Sequence, residues 1–446
     1  MALPPISSTA PLDWRYTAEG GANLVLSFAG PSSSPFAYHV LRLRKRKLGA
    51  MSRGADEAVP SEVEVDFGAR VVAPLLGPSN VVDMRKVELE RPGLEELVRA
   101  VREGGCRPSE REQEDEVDLD APVGVLAEDL VAGEGVIAVE IKPKWGFLPP
   151  CASLSSDTAT IKSSYCRTCM HRYHKSRKVG DDLDTGDGDE GFCPLDLYSG
   201  DLRRTTSAVA QLYRSWEKSD GTFNNLRVFY EGKRISPDEL PHLHPLFDTL
   251  ARRASPLHAD LLPNLLDSPA STFCTSLSDA LLASPLLRTL AQLQSSLDAL
   301  DIEGLAALVL AHPATRADLF APADQAPVEV AKLGAQPTLA EWEALLVRLG
   351  PLLEQGREAT AAALREGPPR DAVLAYLLSA TLKDCSLIVR VPTIGPGDVS
   401  VKAIDLDPKP IVRMAKYARM DGEIVQSWRE RLERLPEGEE LRRCRM

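Results

Sequence analysis

The order of local patterns along this chain restricts its fold more than any single motif does. Strand-forming residues dominate four segments before residue 236, at 24–28, 38–43, 136–142 and 226–230. A Leu- and Ala-rich stretch with helical periodicity and loop-forming prolines then covers 236–378. Strand patterns return at 386–391 and 400–406, before the last helices. Strands interrupted by a long helical insertion predict an α+β fold.

Other segments carry weaker signals. Apolar residues recur on one side of 93–104 and predict a helix there. The stretch 49–62 reads as a loop, and the acidic run at 109–120 is expected to be solvated. Aspartates among glycines at 179–191 predict a disordered acidic loop.

Composition excludes several classes of function. The net charge of −13 argues against broad nucleic-acid or anionic-membrane binding, although a basic pocket for a small polyanion is compatible with it. No apolar run approaches the roughly 20 residues of a membrane span, and the first residues lack the pattern of a signal peptide. The eight cysteines are scattered without a disulfide-like framework, which favours a reducing, intracellular setting.

Residues 401–417 carry both acidic and basic groups. The strand at 400–406 delivers Asp405 and Asp407, and prolines then end it. A helix starting near residue 410 would place Lys409, Arg413 and Tyr417 on one face, at a spacing of i, i+4, i+8. Carboxylates that could bind a metal lie beside basic side chains that could bind phosphates. This combination indicates phosphoryl transfer to an anionic substrate. The alternative is a strand end followed by a solvated surface helix.

A glycine turn near the beginning of the chain offers a second site feature. Gly20 and Gly21 lie between two predicted strands, where small residues let backbone N–H groups approach phosphates. A plain hairpin turn explains the same residues. Arg42 stands on the following strand, where a protein kinase places its phosphate-pairing lysine.

Two further basic segments are candidates for phosphate binding. Lys142 and Lys144 leave the end of a buried strand on either side of a proline, with the alternative that both are simply solvated. Lys175 ends a run that spaces Cys166, Cys169, His171 and His174 as C-x2-C-x-H-x2-H. These ligands are closer together than in ordinary zinc sites, which use two separated pairs. The run therefore favours a basic phosphate-facing helix over structural zinc.

Two polar segments precede strands in the second half of the chain. Asn225 and Arg227 offer amide and guanidinium donors, although adjacent asparagines also form turns. Asp384 stands at a strand entrance, where a carboxylate could accept a hydroxyl proton as the catalytic aspartate of a kinase does. The chain has no Gly-x-Ser-x-Gly motif that would indicate a serine nucleophile.

Taken together, these motifs resemble the inositol-pentakisphosphate 2-kinase family, in family order over almost the whole chain. The matching segments are EGGANLVL at 19–26, VLRL at 40–43, PLLG at 74–77, VEIKPKWGFL at 139–148, CMH at 169–171, FCPLDL at 192–197, NNLRVF at 224–229, KDCS at 383–386 and DLDPKP at 405–410. The box around Lys142 and Lys144 is the most specific of them. Trp145 and Arg172 depart from the common pattern without removing a charged contact.

The resemblance implies a bilobal, kinase-like fold with an N-terminal, mainly antiparallel sheet lobe at 1–150. A larger C-terminal α/β lobe would cover 151–446 and include the helical insertion. It also implies ATP and Mg²⁺ as cofactors and phosphorylation of the 2-hydroxyl of inositol 1,3,4,5,6-pentakisphosphate to inositol hexakisphosphate. Some family members carry a Cys/His zinc site in the insertion, which here lacks Cys-x2-Cys. Structural zinc is therefore not expected.

The resemblance also implies a role for each matching residue. Asp384 resembles the catalytic base and Asp405 the magnesium ligand. The nucleotide-binding set would be Gly20, Gly21, Ala22, Asn23, Arg42, Asp129, Glu140, Asn225, Arg227 and Asp405. The inositol-phosphate pocket would be Arg111, Lys142, Lys144, Lys175, Lys409, Arg413 and Tyr417.

A non-catalytic protein that binds inositol phosphates or acts as a scaffold is the alternative function. The presence of both Asp384 and Asp405 speaks against it, because a sensor needs neither a base nor a metal ligand. The protein is expected to be a monomer in the nucleus or cytoplasm, and a basic run at 42–47 could be either a strand end or a nuclear signal.

Overall fold

The computed structural model describes residues 4–48, 61–179, 191–243, 269–311, 335–393 and 398–446. The acidic loop predicted at 179–191 and parts of the predicted helical insertion fall largely outside these ranges. No helix within them is long and apolar enough to cross a membrane.

The first sheet is antiparallel and belongs to the N-terminal part of the chain. Its strands are β1 Trp14–Glu19, β2 Asn23–Phe28, β3 His39–Lys47, β4 Met84–Glu88, β5 Asp115–Val117 and β6 Val123–Glu128. They are ordered β1-β2-β3-β6-β4, and β5 pairs with the end of β3. Leu26, Leu41 and Leu126 meet in its core, which the helix Arg91–Glu103 covers. The predicted strands at 24–28 and 38–43 are thereby confirmed.

The second sheet is also antiparallel, and residues far apart in the chain form it. Its strands are β7 Val136–Ile141, β8 Leu226–Tyr230, β9 Lys233–Ile235, β10 Ser386–Pro392 and β11 Ser400–Ile404. The order is β11-β10-β7-β8-β9. Every residue of the central strand β7 is buried, as its mainly apolar pattern indicates, and this includes Glu140. The strands predicted at 136–142, 226–230, 386–391 and 400–406 are therefore present within a residue or two.

Helices make up most of the remaining described chain. In chain order they are α1 Ser61–Phe67, α2 Ala73–Leu76, α3 Arg91–Glu103, α4 Ser109–Glu114, α5 Ser156–Lys162, α6 Arg167–Val179, α7 Pro194–Leu197, α8 Leu202–Lys218, α9 Pro269–Ala283, α10 Leu286–Leu297, α11 Asp301–Ala311, α12 Leu339–Gln355, α13 Arg357–Glu366, α14 Pro369–Lys383 and α15 Met414–Glu433. Within 236–378, the described residues 269–311 and 335–378 are mainly helical. The mixture of helices and antiparallel sheets confirms the α+β prediction.

The two faces of the second sheet have different surroundings. Ile137, Val139 and Ile141 of β7 join the large core that the helices form around Trp216 and Trp342. The residues between them, Ala138 and Glu140, point the other way, because side chains alternate along a strand. That opposite face looks toward the first sheet.

Two predictions need correction. The segment read as a loop at 49–62 ends in helix α1, which begins at Ser61. The acidic run at 109–120 is not simply solvated, because Asp115 is buried and pairs with Lys45 and Arg107. The chain passes from the first sheet to the second between β6 and β7. The predicted division into lobes at 150 stays a prediction.

Candidate active site

A cleft of about 250 Å³ lies between the two sheets. Apolar side chains of both sheets, including Val25, Val40 and Ile388, form part of its wall. Such a surface suits a planar heterocyclic base. The predicted site residues that line the cleft are Gly20, Arg42, Asp129, Glu140, Lys142, Arg227 and Asp405. These residues come from six separate places in the sequence, and the fold brings them together.

The glycine turn is the hairpin between β1 and β2. The Gly20 N–H donates to the carbonyl of Asn23 at 2.9 Å, and the Ala22 carbonyl accepts from the Lys45 N–H at 2.9 Å. A Cβ added at Gly20 or Gly21 would meet no atom within 4 Å, so the space beside the turn is open. Asn23 is buried instead, and its side-chain oxygen accepts from Arg42 at 2.9 Å in the amide orientation that satisfies both of its polar atoms.

Arg42 on β3 is held by two carboxylates. Its guanidinium lies 2.7 Å from Glu64 of α1 and 3.1 Å from Asp407. Burial raises the pKa of Glu64 to about 7; Asp407 adds to the rise, and Arg42 opposes it. A basic residue on the third strand paired with a helix glutamate is also the arrangement that protein kinases use beside the nucleotide. Sequence reasoning missed Glu64, because no motif marked the short helix α1 that carries it.

Asp129 lies in the connection between β6 and β7, and its side chain serves the connection itself. One carboxylate oxygen accepts from the N–H groups of Val131 and Ala132, each at 3.0 Å. The other accepts from the hydroxyl of Ser27. The side chain therefore stabilises the connection between the sheets. Because both of its oxygens already accept hydrogen bonds, it has fewer lone pairs available for a ligand.

Glu140 and Arg227 face the cleft from neighbouring strands. The Glu140 carboxylate accepts from Arg227 at 3.2 Å and from the hydroxyl of Ser386 at 2.8 Å. Arg227 also donates to the side chain of Asn224 at 3.1 Å. Asn225 contributes its backbone carbonyl, which accepts from the N–H of Lys142 at 3.1 Å. The predicted nucleotide-side residues are thus joined in one network.

Asp405 directly follows β11 in a left-handed backbone conformation, with φ of 59°. A non-glycine residue adopts this conformation only when its surroundings impose it. Desolvation in the cleft raises the pKa of Asp405; Glu140 and Asp407 add to the rise, and Arg42 lowers it. A divalent cation would relieve this gathering of negative charge, and carboxylate oxygens are the ligands that Mg²⁺ prefers. The residues present therefore fit a magnesium site at Asp405.

Asp384 begins the second half of the site, at the end of α14. Its side chain is 61% exposed, and Lys409 lies 2.6 Å from one of its oxygens. Burial by the surrounding residues opposes the charge on Asp384, but Lys409, Lys144 and Lys142 outweigh it and hold its pKa below the usual value. Asp384 is therefore an accessible, ionised carboxylate next to several cations.

The lysines around Asp384 lie close enough for the charge of one to shift the pKa of another. Burial lowers the pKa of Lys144, and the charges of Lys142 and Lys175 lower it further. In the part of the chain that the structure describes, neither Lys142, Lys144 nor Lys175 lies in an ion pair. We refer to Lys142, Lys144, Lys175 and Lys409 as the lysine cluster. The summed positive charge of these lysines exceeds the negative charge of Asp384, the carboxylate they surround.

Lys144 is held in place by a residue that the sequence did not suggest. Lys144 also has a positive φ, of 64°. The side chain of Gln294 on α10 donates to the carbonyls of Lys144 and Leu382, at 3.1 and 3.0 Å, and accepts from the Gly146 N–H at 2.8 Å. Gln294 thereby ties the lysine box to the helix end that presents Asp384. No motif marks it, because it acts through long-range contacts alone.

The remaining predicted residues lie less centrally. Arg413 ends a short 3₁₀ turn, Ile411–Arg413, and Lys409 precedes it, so the prediction of one helix face for Lys409, Arg413 and Tyr417 was wrong. The three still interact, since Lys409 and Arg413 both lower the pKa of Tyr417 against the larger effect of its burial. Arg111 lies on α4 of the other lobe, paired with Glu114 at 3.4 Å. Its described contacts do not reach the lysine cluster, and its role stays a prediction.

The site has the features of a kinase-like phosphotransferase. These are a cleft between two sheets, a glycine turn, a basic residue paired with a helix glutamate, and a carboxylate at a strand end. The inositol-pentakisphosphate 2-kinase family model matches residues 16–423. The chain is 32% identical to the protein named inositol-pentakisphosphate 2-kinase of Cryptococcus neoformans var. neoformans, over 96% of this chain and 95% of that protein.

More distant relatives bear the same name. The chain is 26% identical to the inositol-pentakisphosphate 2-kinase of Arabidopsis thaliana, over 93% of this chain and 92% of that protein. The Danio rerio protein of this name is 27% identical over 53% of this chain and 49% of its own length. The chain therefore belongs to the inositol-pentakisphosphate 2-kinase family and is a kinase, which confirms the resemblance.

Proposed function

We propose that this chain transfers the γ-phosphoryl group of ATP to the 2-hydroxyl of inositol 1,3,4,5,6-pentakisphosphate and requires Mg²⁺. The products would be ADP and inositol hexakisphosphate. The observation that carries the proposal is the position of Asp384, one accessible carboxylate within the lysine cluster. A neutral sugar alcohol or a protein hydroxyl would not require this excess of positive charge.

Each part of the site has a task in this reaction. The lysine cluster binds and orients the phosphates of the inositol, which would otherwise repel ATP at short range. Asp384 accepts the proton of the hydroxyl whose oxygen attacks the γ-phosphorus, while the bond to the bridging oxygen of ADP breaks. Asp405 would hold Mg²⁺, which neutralises phosphate charge when bound. No covalent enzyme intermediate is needed, because positioning and electrostatics dominate phosphoryl transfer.

The nucleotide side of the site follows from the cleft. We assign the adenine of ATP to the apolar wall near Val40 and Ile388. We assign the ATP phosphates to the open space beside Gly20 and Gly21. Arg42 already has two carboxylate partners, so we assign it the same part as the paired lysine of kinases. The predicted location in the nucleus or cytoplasm and the monomeric state stay predictions.

The direct test is an activity assay with product identification. Purified, folded protein is incubated with ATP, Mg²⁺ and inositol 1,3,4,5,6-pentakisphosphate, and the inositol product is separated by ion-exchange chromatography. We expect inositol hexakisphosphate and an equal amount of ADP, and neither product when EDTA removes Mg²⁺. ADP formation without a change in the inositol phosphate would contradict the proposal.

A further inference from the structure

Four cysteines from three separate segments meet on the side of the C-terminal lobe that carries α6. Cys166 and Cys169 lie at the start of α6, Cys193 precedes α7, and Cys444 follows the last helix. Their sulfur atoms all lie within 4.8 Å of one another. We refer to these residues as the four-cysteine cluster.

The distances within the cluster fit a metal ion better than a disulfide. The sulfurs of Cys166 and Cys193 are 3.8 Å apart. Four sulfurs at about 2.3 Å from a tetrahedral Zn²⁺ would be separated by about 3.8 Å, whereas a disulfide needs about 2.05 Å. The Cys169 N–H also donates to the sulfur of Cys166 at 3.4 Å, a contact that favours the charged thiolate.

Contacts outside the cluster hold its last member in place. The Cys444 N–H donates to the carbonyl of Ser164 at 2.9 Å, just before α6. Arg204 of α8 donates to the carbonyl of Arg445 at 2.6 Å. Arg442 lies 3.4 Å from Asp196 of α7. The segment after α15 therefore returns to α6 and α7 through its own hydrogen bonds, so the position of Cys444 does not depend on the sulfurs alone.

We propose that the four-cysteine cluster binds a structural Zn²⁺ ion that fastens the segment 434–446 to α6. Four protein ligands close the coordination sphere, which is typical of structural rather than catalytic zinc. The local run at 166–174 disfavours zinc because its four potential ligands are so close together in the sequence. His171 and His174 are not part of the cluster, and the second ligand pair, Cys193 and Cys444, comes from distant segments.

The proposed ion has a consequence for the active site. Helix α6 carries Lys175 of the lysine cluster nine residues after Cys166. The start of α6 also connects to α15 through Arg167, which lies 3.2 Å from Asp421. Zinc would fix this end of the helix and so the direction from which Lys175 approaches the substrate.

The second group of close metal-ligating side chains does not support a metal. Asp301, Glu303 and Asp421 also gather within 4.8 Å. The ammonium group of Lys162 lies among them, at 2.6, 3.0 and 2.8 Å, and already supplies the positive charge. Of the two groups found in the described residues, the four-cysteine cluster alone lacks such a cation.

The experiment measures metal and thiols in the same full-length sample. Protein purified without chelators and desalted is analysed by inductively coupled plasma mass spectrometry, and we expect about one zinc per chain. Denaturation with EDTA should then release eight thiols in the absence of reductant, because no cysteine is in a disulfide. Absence of zinc after incubation with Zn²⁺ under reducing conditions, or fewer than eight thiols, would overturn the proposal.

Cysteine variants separate this site from adventitious binding. Cys444→Ser should lose its zinc on dialysis against EDTA under conditions where wild type retains it, and should melt at a lower temperature. The matched controls are Cys106→Ser and Cys151→Ser, two exposed cysteines outside the cluster, which should keep zinc as wild type does. Equal retention in Cys444→Ser and wild type would contradict the assignment.

Wild-type protein alone also provides a test if Cys444→Ser does not fold. Replacing zinc with Co²⁺ should give the intense visible bands of tetrahedral cobalt and the near-ultraviolet sulfur-to-cobalt charge-transfer band. Weak octahedral bands without charge transfer would overturn the proposal.

Discussion

Two regions of the C-terminal lobe use lysine in opposite ways. Lys162 is buried and contacts three carboxylates, those of Asp301, Glu303 and Asp421. The lysine cluster of the active site surrounds a single carboxylate, Asp384, which is paired with Lys409. The first region is balanced or slightly negative, whereas the second has an excess of positive charge.

This difference distinguishes a structural role from a binding role. Burying an ammonium group costs several kcal/mol unless carboxylates compensate it, so the Lys162 region needs its acids to fold. In the lysine cluster, Lys409 pairs with Asp384, whereas Lys142, Lys144 and Lys175 form no ion pair within the described residues and would be neutralised by a bound polyanion. Lys383, the neighbour of Asp384, belongs with the structural type, since it is buried against Asp298 and the ring of Trp145.

The largest expected effect is on turnover, from Asp384→Asn. The amide cannot accept the hydroxyl proton, so we expect kcat to fall by about 10²- to 10⁴-fold while the substrate still binds. Steady-state kinetics and calorimetric titration with inositol pentakisphosphate measure the two quantities separately. Asp220→Asn, an exposed position with φ of 50° that asparagine tolerates, is the matched control. Turnover within a few-fold of wild type would remove Asp384 from the role of base.

The next effect is on stability, from Lys162→Met. The change removes the cation that three carboxylates share, two of them buried, although Asp421 keeps its contact with Arg167. We expect a loss of about 3–5 kcal/mol in the free energy of unfolding. Lys233→Met is the control, since its pair with Glu239 is exposed and solvent screens it, so its loss should change the free energy of unfolding little. Denaturant unfolding of both variants gives the comparison. Equal losses would show that the Lys162 region is not structurally different from a surface pair.

Lys144→Met should weaken substrate binding with little loss of stability. Burial and two neighbouring lysines already disfavour the charge of Lys144 in the free protein, so the folded chain loses little when it is removed. We expect KM for inositol pentakisphosphate to rise about 10-fold, and the dependence of KM on salt to become less steep. Lys416→Met, at an exposed position of α15, is the control. An unchanged KM and salt dependence would exclude a direct contact.

The smallest effect is a shift in pH dependence, from Lys409→Met. Lys409 holds the pKa of Asp384 below its usual value, so removing the ammonium group raises that pKa. The base is active when deprotonated, and the acid limb of kcat/KM should therefore move to higher pH, by less than about one unit because Asp384 is largely exposed. Lys409→Arg should keep the wild-type limb. An acid limb that is unchanged in Lys409→Met would show that Lys409 does not lower the pKa of the catalytic base.

The sequence predicted the parts of the site that lie in continuous segments. The mainly apolar run of β7 identified a buried strand, and the acidic and basic residues after β7 and β11 do face the cleft or the lysine cluster. These predictions succeeded because a strand fixes which residues emerge at its end. The roles assigned to single residues stay predictions.

The contacts that the sequence did not reveal join distant segments. Glu64 reaches Arg42 only because α1 packs against β4 and β6, and β6 is the neighbour of β3. Gln294 reaches Lys144 across 150 residues. Cys444 completes its cluster 251 positions after Cys193. Local spacing carries no information about such pairs, and for the four-cysteine cluster it suggested two histidines that the structure leaves out.

A substrate series tests most directly whether the lysine cluster selects a polyanionic inositol. Initial kcat/KM is measured with ATP and Mg²⁺ for inositol phosphates that carry from one to five phosphates, with the 2-hydroxyl free or blocked. We expect kcat/KM to rise steeply with the number of phosphates and to be highest for inositol 1,3,4,5,6-pentakisphosphate. Equal rates with few and many phosphates, or an undiminished rate when the 2-hydroxyl is blocked, would contradict the account.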